Sequence, residues 1–360
     1  MRAQRVWFVL LGAASLAAGA RRAGAQGPAI TVGALVYTQY GYQLRSDSVT
    51  GAHLNNFDLT RAYINLVGRF PSGVYIRVTP DIFRNAAIGS TLSFRLKYAY
   101  VAYTPEGSPL TPKFGVLHTP WLDWEEALWD YRMQGTMAME RFQSPAGAGY
   151  LSSADLGAGV DGKFGEDVVN FQLGVYNGEF YSAPEGDEHK DVEGRVSVRV
   201  LETDDKSRVG GLRLTGYGAY GKPTGGGKRH RFIGMVSYKS KLLTLAGEFG
   251  RAVDRLDQGP PVAAGTPPVP ETKGDIWSAF GVLNVPHTKA AVIARYDRQK
   301  PNTAAADNVQ HRIIAGVSYQ VSPQLRLLGD VDNLWLESGA YTNAVNRTRS
   351  TALLQAQLAF

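Results

Sequence analysis

After residue 29, apolar and polar side chains alternate at every second position through most of the chain, in segments of about ten residues separated by turn-forming residues. A period of two belongs to a strand with unlike faces. The C-terminal segment shows it plainly: Ala352, Leu354, Ala356, Leu358 and Phe360 share one face, and Gln355 and Gln357 lie on the other. Ile30, Val32, Ala34, Val36, Tyr40 and Tyr42 share a face near the start. In 91–104, Leu92, Phe94, Leu96, Tyr98 and Tyr100 oppose Arg95 and Lys97. Val192, Val196, Val198 and Val200 oppose Glu193, Arg195 and Arg199, and Ala290, Val292, Ala294 and Tyr296 oppose Arg295. A soluble barrel would turn its apolar face inward. Here the polar face carries too many charges to meet lipid, so lipid outside and water inside satisfies both faces. The expected class is all-β: a transmembrane antiparallel β-barrel.

Strands are expected near 30–44, 57–70, 74–83, 91–104, 112–119, 155–164, 167–177, 191–201, 210–220, 230–239, 242–251, 275–284, 288–297, 310–321, 324–336 and 348–360. The phase of 275–284 is ambiguous. Sixteen is an even number, as single-chain bacterial barrels require. Short links such as 71–73, 165–166, 240–241, 285–287 and 322–323 alternate with long ones at 120–154, 178–190, 252–274, 298–309 and 337–347. That alternation matches a barrel with tight turns at one rim and loops at the other. The 41 glycines and 11% aromatic residues suit the same plan.

The N-terminus reads as a secretory signal. Arg2 and Arg5 precede an apolar run from Val6 to Ala18, and Ala23-Gly24-Ala25 is a small-x-small cleavage site. The expected division is a signal peptide over 1–25 and one barrel domain over 26–360, placed in the bacterial outer membrane. The net charge of +6 then falls to +2, because the signal holds four arginines and no acid. Nucleic-acid binding gains no support from it. The absence of cysteine excludes disulfides, thiolate metal sites and a Cys nucleophile.

Residues 120–154 form the longest connection and have their own pattern. Residues 121–132 are expected to form a short helix with acids at its start, where the helix dipole favours them. Met133, Met137, Met139 and Phe142 follow. Folded inward, this loop would constrict the lumen; an external lid or a subunit contact is the alternative. Its candidate site residues, with the strand end before it, are His118, Asp123, Glu125, Glu126, Asp130, Arg132, Glu140 and Arg141.

Several fragments in order resemble the phosphate-selective porin O/P family: Arg61-Ala62-Tyr63, then 96–101 (LKYAYV) followed by 115–121 (GVLHTPW), and Met139-Glu140-Arg141. Asp155-Leu156-Gly157, Tyr176-Asn177-Gly178, Gly194-Arg195-Val196 and Ala294-Arg295-Tyr296-Asp297 continue the likeness. The resemblance implies a porin channel, a homotrimer, passive diffusion of small hydrophilic solutes and no cofactor. The chain departs from the family where many members have Lys in a Gly-x-x-Lys-Thr-Pro pattern, because His118 stands there. Four acids in 123–130 would also repel phosphate.

Inward faces supply the expected pore-lining cations Arg61, Arg69, Arg77, Arg95, Lys97, Arg195, Arg199, Arg231, Arg295 and Arg326. Asp81, Asp155, Asp161, Glu193, Glu248, Asp330 and Asp332 oppose them. Together they lean basic, which predicts a mild preference for anions among the solutes carried, with outer-membrane lipid as the partner outside. The alternative is a non-conducting barrel acting as an enzyme or a structural surface protein. The glycine pattern of 216–221 lies within a strand, and no helix is expected after it to receive a pyrophosphate. The six histidines are dispersed, and Glu185, Asp187, Glu188 and Asp191 make a weak calcium pattern in a loop.

Overall fold

A computed structural model describes residues 27–45, 53–141, 150–224, 226–256, 270–306, 308–337 and 348–360. The expected signal peptide lies outside these residues. The strands are β1 (Ala29–Gln43), β2 (Asn55–Arg69), β3 (Val74–Asn85), β4 (Thr91–Tyr103), β5 (Leu110–His118), β6 (Ala154–Phe164), β7 (Val169–Tyr176) and β8 (Asp191–Leu201). They continue as β9 (Gly211–Gly221), β10 (Gly227–Lys239), β11 (Leu243–Leu256), β12 (Thr272–Asn284), β13 (Ala290–Lys300), β14 (Gln310–Ser322), β15 (Leu325–Leu336) and β16 (Thr348–Ala359). Each pairs with its neighbours in sequence, and β16 pairs with β1 to close an antiparallel barrel of sixteen strands. Closure leaves no strand edge, the condition for placing strands in hydrocarbon. The last residue completes it: Phe360 N–H donates to the Ala34 carbonyl at 3.1 Å and its own carbonyl accepts from Ala34 N–H at 3.0 Å.

The expected faces hold on most strands. Val196 and Val292 are about half exposed on the outer wall, whereas Ser197 and Ile293 beside them are fully buried. β11 runs on to Leu256 and β12 starts at Thr272, so the link between them is shorter than 252–274.

Of four register shifts among the described strands, those of β1–β2 and β3–β4 break the phase where alternation alone cannot show it. Tyr37 and Thr38 of β1 pair with Arg61 and Leu59 of β2, which leaves Thr60 as an extra residue. Thr79 and Pro80 of β3 pair with Tyr98 and Leu96 of β4, leaving Lys97 extra. A bulge puts two successive side chains on one face and re-aims the strand beyond it. Lys97 and Tyr98 are accordingly both buried on the inner side. This corrects the outward placement of Tyr98 and Tyr100, both of which meet His118. The glycine pattern of 216–221 lies in β9, with no helix after it.

Candidate functional site

The described parts of the connection after β5, 119–141 and 150–153, turn into the barrel. Helix α1 (Leu122–Trp129) opens with Asp123 and Glu125 in its first turn and ends at Asp130, whose positive φ lets its N–H reach the Glu126 carbonyl. A 3-10 turn over Arg132–Gln134 and helix α2 (Ala138–Arg141) follow. Trp121, Trp124, Trp129, Leu122, Leu128, Met137 and Met139 are wholly buried. They pack with Ile233, Met235, Ala246, Ile276, Phe280 and Ile293 from the inner wall, and Trp129 meets Phe280 edge-on at 5.4 Å. Burying each such side chain contributes about 1.5–3 kcal/mol, so apolar packing drives the docking.

Charged groups on the wall fix the loop backbone. Arg195 donates to the Pro120 carbonyl at 3.2 Å and covers the Trp124 ring at 4.2 Å. Arg231 donates to the Tyr150 carbonyl at 2.9 Å and pairs with Asp254 at 2.6 Å. Arg295 reaches the Thr136 carbonyl at 3.3 Å and pairs with Asp297 at 2.8 Å. Lys239 donates to the Ala127 carbonyl at 2.9 Å, and Arg326 to that of Asp130 at 2.8 Å.

With the loop against β9–β13, open space remains beside β1–β4 and β14–β16. It consists of two chambers that share Tyr37, Arg61 and Arg132. The larger, about 500 Å³, lies toward the long connections and has six basic residues in its lining (Arg61, Arg95, Lys97, Arg132, Arg312, Arg349) against three acidic ones (Asp81, Glu140, Asp332). The smaller, about 350 Å³, lies toward the termini and holds Arg61, Arg77, Arg132 and Arg208 against Asp123, Glu126 and Asp130.

The loop acids do not form a negative screen. Asp123 pairs with Arg208 at 2.7 Å and faces His118 at 3.4 Å. Burial alone would raise its pKa, but Arg208 and then His118 hold it well below the usual carboxylate range. Arg132 pairs with Glu126 at 2.6 Å and also with Glu140. Asp130 pairs with Arg326 at 3.2 Å. Glu125 turns away from the passage into the loop–wall interface, where it is completely buried. The repulsion expected of four acids is therefore cancelled, each by a particular partner or by burial.

The opposite wall is different. Arg61 lies over the Tyr63 ring at 4.6 Å, Arg95 over Tyr181 at 4.7 Å, and the Lys97 ammonium 5.5 Å from both rings. Among the described residues, these three cations form no ion pair and donate no hydrogen bond to protein. Arg77 continues the row; it donates to Asn65 at 2.9 Å and to His118 Nε2 at 3.0 Å, while His118 stacks on Tyr98 at 3.8 Å.

Of the ten expected pore cations, Arg61, Arg77, Arg95 and Lys97 thus line the two chambers. Arg195, Arg231 and Arg295 point inward but lie beneath the loop, and Arg326 clasps its end. Arg69 is exposed at the turn rim over Tyr75, and Arg199 donates to the Glu166 carbonyl there. Alternation assigns a side chain to the inner face; it cannot say which part of that face the loop covers. The Arg141 side chain and Phe142 lie outside the described residues. Tyr37, Tyr63, Tyr181, Arg208, Arg312 and Arg349 also line these chambers and were not among the expected site residues. Tyr37 and Tyr63 have inward parity, but a barrel also carries rings on its outer face at the membrane interfaces, so an aromatic residue does not by itself mark the lumen. In the calcium pattern, Asp191 is taken by Arg229 at 2.7 Å and Glu185 by Lys190 at 2.7 Å; it is Glu179 that approaches Glu185 and Asp187.

The barrel is similar in fold to solved outer-membrane proteins. An anion-selective porin from Comamonas acidovorans matches with a TM-score of 0.67 at 13% identity, over 92% of this chain and 100% of that one. OmpT, an outer membrane protein of Vibrio cholerae in a trimer form, matches at 0.63 and 10% identity over 93% and 100%. OmpF of Salmonella typhi, in complex with daunomycin, matches at 0.61 and 12% identity over 92% and 97%. At such identities the likeness is one of fold. No family model and no curated protein matches the sequence, so the resemblance to the phosphate-selective family rests on its short fragments alone.

Proposed function

We propose that this chain is an outer-membrane porin, exported by the signal over 1–25, that passes small hydrophilic solutes by diffusion and favours anions. The observation that carries this reading is the row of Arg61, Lys97 and Arg95 on one wall of the passage, which have Asp81 beside them but, among the described residues, neither ion pair nor hydrogen bond to protein. A cation without a protein partner in a narrow wet space attracts mobile anions, and low-dielectric walls strengthen that attraction. The facing loop adds little opposing field, since its acids are already paired. The porin fold of the Comamonas protein, whose description is anion-selective, supports the same reading. Lipid contact on the Val- and Leu-rich outer wall and assembly as a homotrimer belong to the proposal. It involves no cofactor and no nucleic acid.

The test is the reversal potential of the reconstituted protein across a potassium chloride gradient, with added phosphate as a competitor. A potential of the sign for chloride over potassium is expected. Preference for potassium would overturn the anion reading. Block by dilute phosphate would extend the family likeness to its substrate despite His118.

A further inference from the structure

The interface between loop and wall holds a charge arrangement that packing does not require. Glu125, on the buried side of α1, and Glu248, on the inner face of β11, are 0% and 3% exposed. None of their four carboxyl oxygens has a hydrogen-bond partner elsewhere among the described residues, and Glu248 is the strongest charge influence on Glu125. Two adjoining carboxylates cannot both stay ionised in such a place. A proton held between them supplies the missing donor and removes the repulsion.

The neighbours leave the pair dependent on that proton. From β13, Arg295 and Asp297 are the charged groups whose fields reach it; they are bound to each other at 2.8 Å, and among the described residues one Arg295 guanidinium nitrogen is buried without a hydrogen bond. From β12, the Ser278 hydroxyl donates to Asp297 at 2.8 Å. On β10, Lys239 is spent on the Ala127 carbonyl, and Ser237 is buried without a hydrogen-bond partner among the described residues. On β9, Arg213 donates to the Gly210 and Asp167 carbonyls, and the Tyr217 hydroxyl donates to Glu193. The Trp121 indole of the loop itself lies against Glu248.

We propose that Glu125 and Glu248 form a proton-held latch that seats the constriction loop and releases it as pH rises. Burial, then Glu248, push the Glu125 carboxyl well above its ordinary range. In an undocked loop it would titrate near the ordinary value of about 4.3. The docked state therefore binds the extra proton. Docking is at full strength below the undocked pKa and weakens through the pH range above it, by about tenfold per pH unit for one proton. This latch is independent of the anion reading, since neither carboxyl lines the passage.

Acrylamide quenching of tryptophan tests it, because Trp121, Trp124 and Trp129 all sit in the loop. In the refolded wild-type protein, quenching should rise steadily from acidic to alkaline pH while circular dichroism shows an unchanged barrel. Glu125→Gln with Glu248→Gln keeps both groups neutral and should flatten the profile at the acidic level. Flat wild-type quenching across this range would overturn the proposal without any variant. An equal rise in the Gln variant would also overturn it. Reversal potentials measured on the same samples keep a failure of the anion reading separate from a failure of the latch.

Discussion

Neutralising Arg61 and Lys97 together should nearly abolish the selectivity of the passage. Both stand beside bulges on the inner face, and among the described residues neither has a protein acceptor. Around the larger chamber their replacement by Gln reduces the excess of basic over acidic residues from three to one. Around the smaller one, loss of Arg61 removes the excess altogether. A unit charge about 4 Å from a passing anion is worth about 1 kcal/mol in water and about 4 kcal/mol at an effective dielectric of 20. A wet passage sits near the lower figure. Two cations then contribute about 2 kcal/mol, which corresponds to roughly thirtyfold in anion occupancy. The assay is the reversal potential of Arg61→Gln/Lys97→Gln at low ionic strength, where screening is weakest. It should move most of the way to zero, while Arg199→Gln at the rim leaves it unchanged. A wild-type potential from the double variant, with step conductance intact, would refute the reasoning.

Replacing Glu126 and Glu140 by Gln should free Arg132 and shift the reversal potential further toward chloride. Trp129→Ala removes a fully buried ring from the loop–wall interface at a cost of about 3–5 kcal/mol, so single-channel currents should become larger and noisier. On the outer wall, Val292→Arg should destabilise the barrel by ~2–4 kcal/mol in lipid, measured by urea unfolding in liposomes. Gly115 has φ +126, and a Cβ there would lie 2.2 Å from the Ala99 carbonyl oxygen beside the loop root. Gly115→Ala should therefore cost at least about 1–3 kcal/mol and lower the refolding yield.

The barrel was legible because its constraint is repeated in nearly every strand. Val196 beside Ser197, or Ala294 beside Arg295, states the faces without any knowledge of neighbours. The ambiguous phase of 275–284 also had a physical cause. Ile276, Phe280 and Val282 face inward and are apolar because the loop covers them, so β12 has two apolar faces and no alternation to read. The same inner patch on β10–β13 was the available signal for where the loop docks. The row of passage cations was only partly legible. Parity placed Arg61, Arg77, Arg95 and Lys97 on the inner face, but gave the same weight to Arg195, Arg231 and Arg295, which the loop buries. The bulges at Thr60 and Lys97 left no mark in the pattern, since a single extra residue resembles a change of phase. Charge pairing was least legible. Asp123 meets Arg208 from a distant connection, and no count of acids in 123–130 could show that.

Single-channel recording of the purified protein refolded into a planar bilayer tests the central claim most directly. A passage beside a docked loop predicts discrete, stable current steps with chloride carrying the larger share. A correctly closed barrel that carries no current would contradict it.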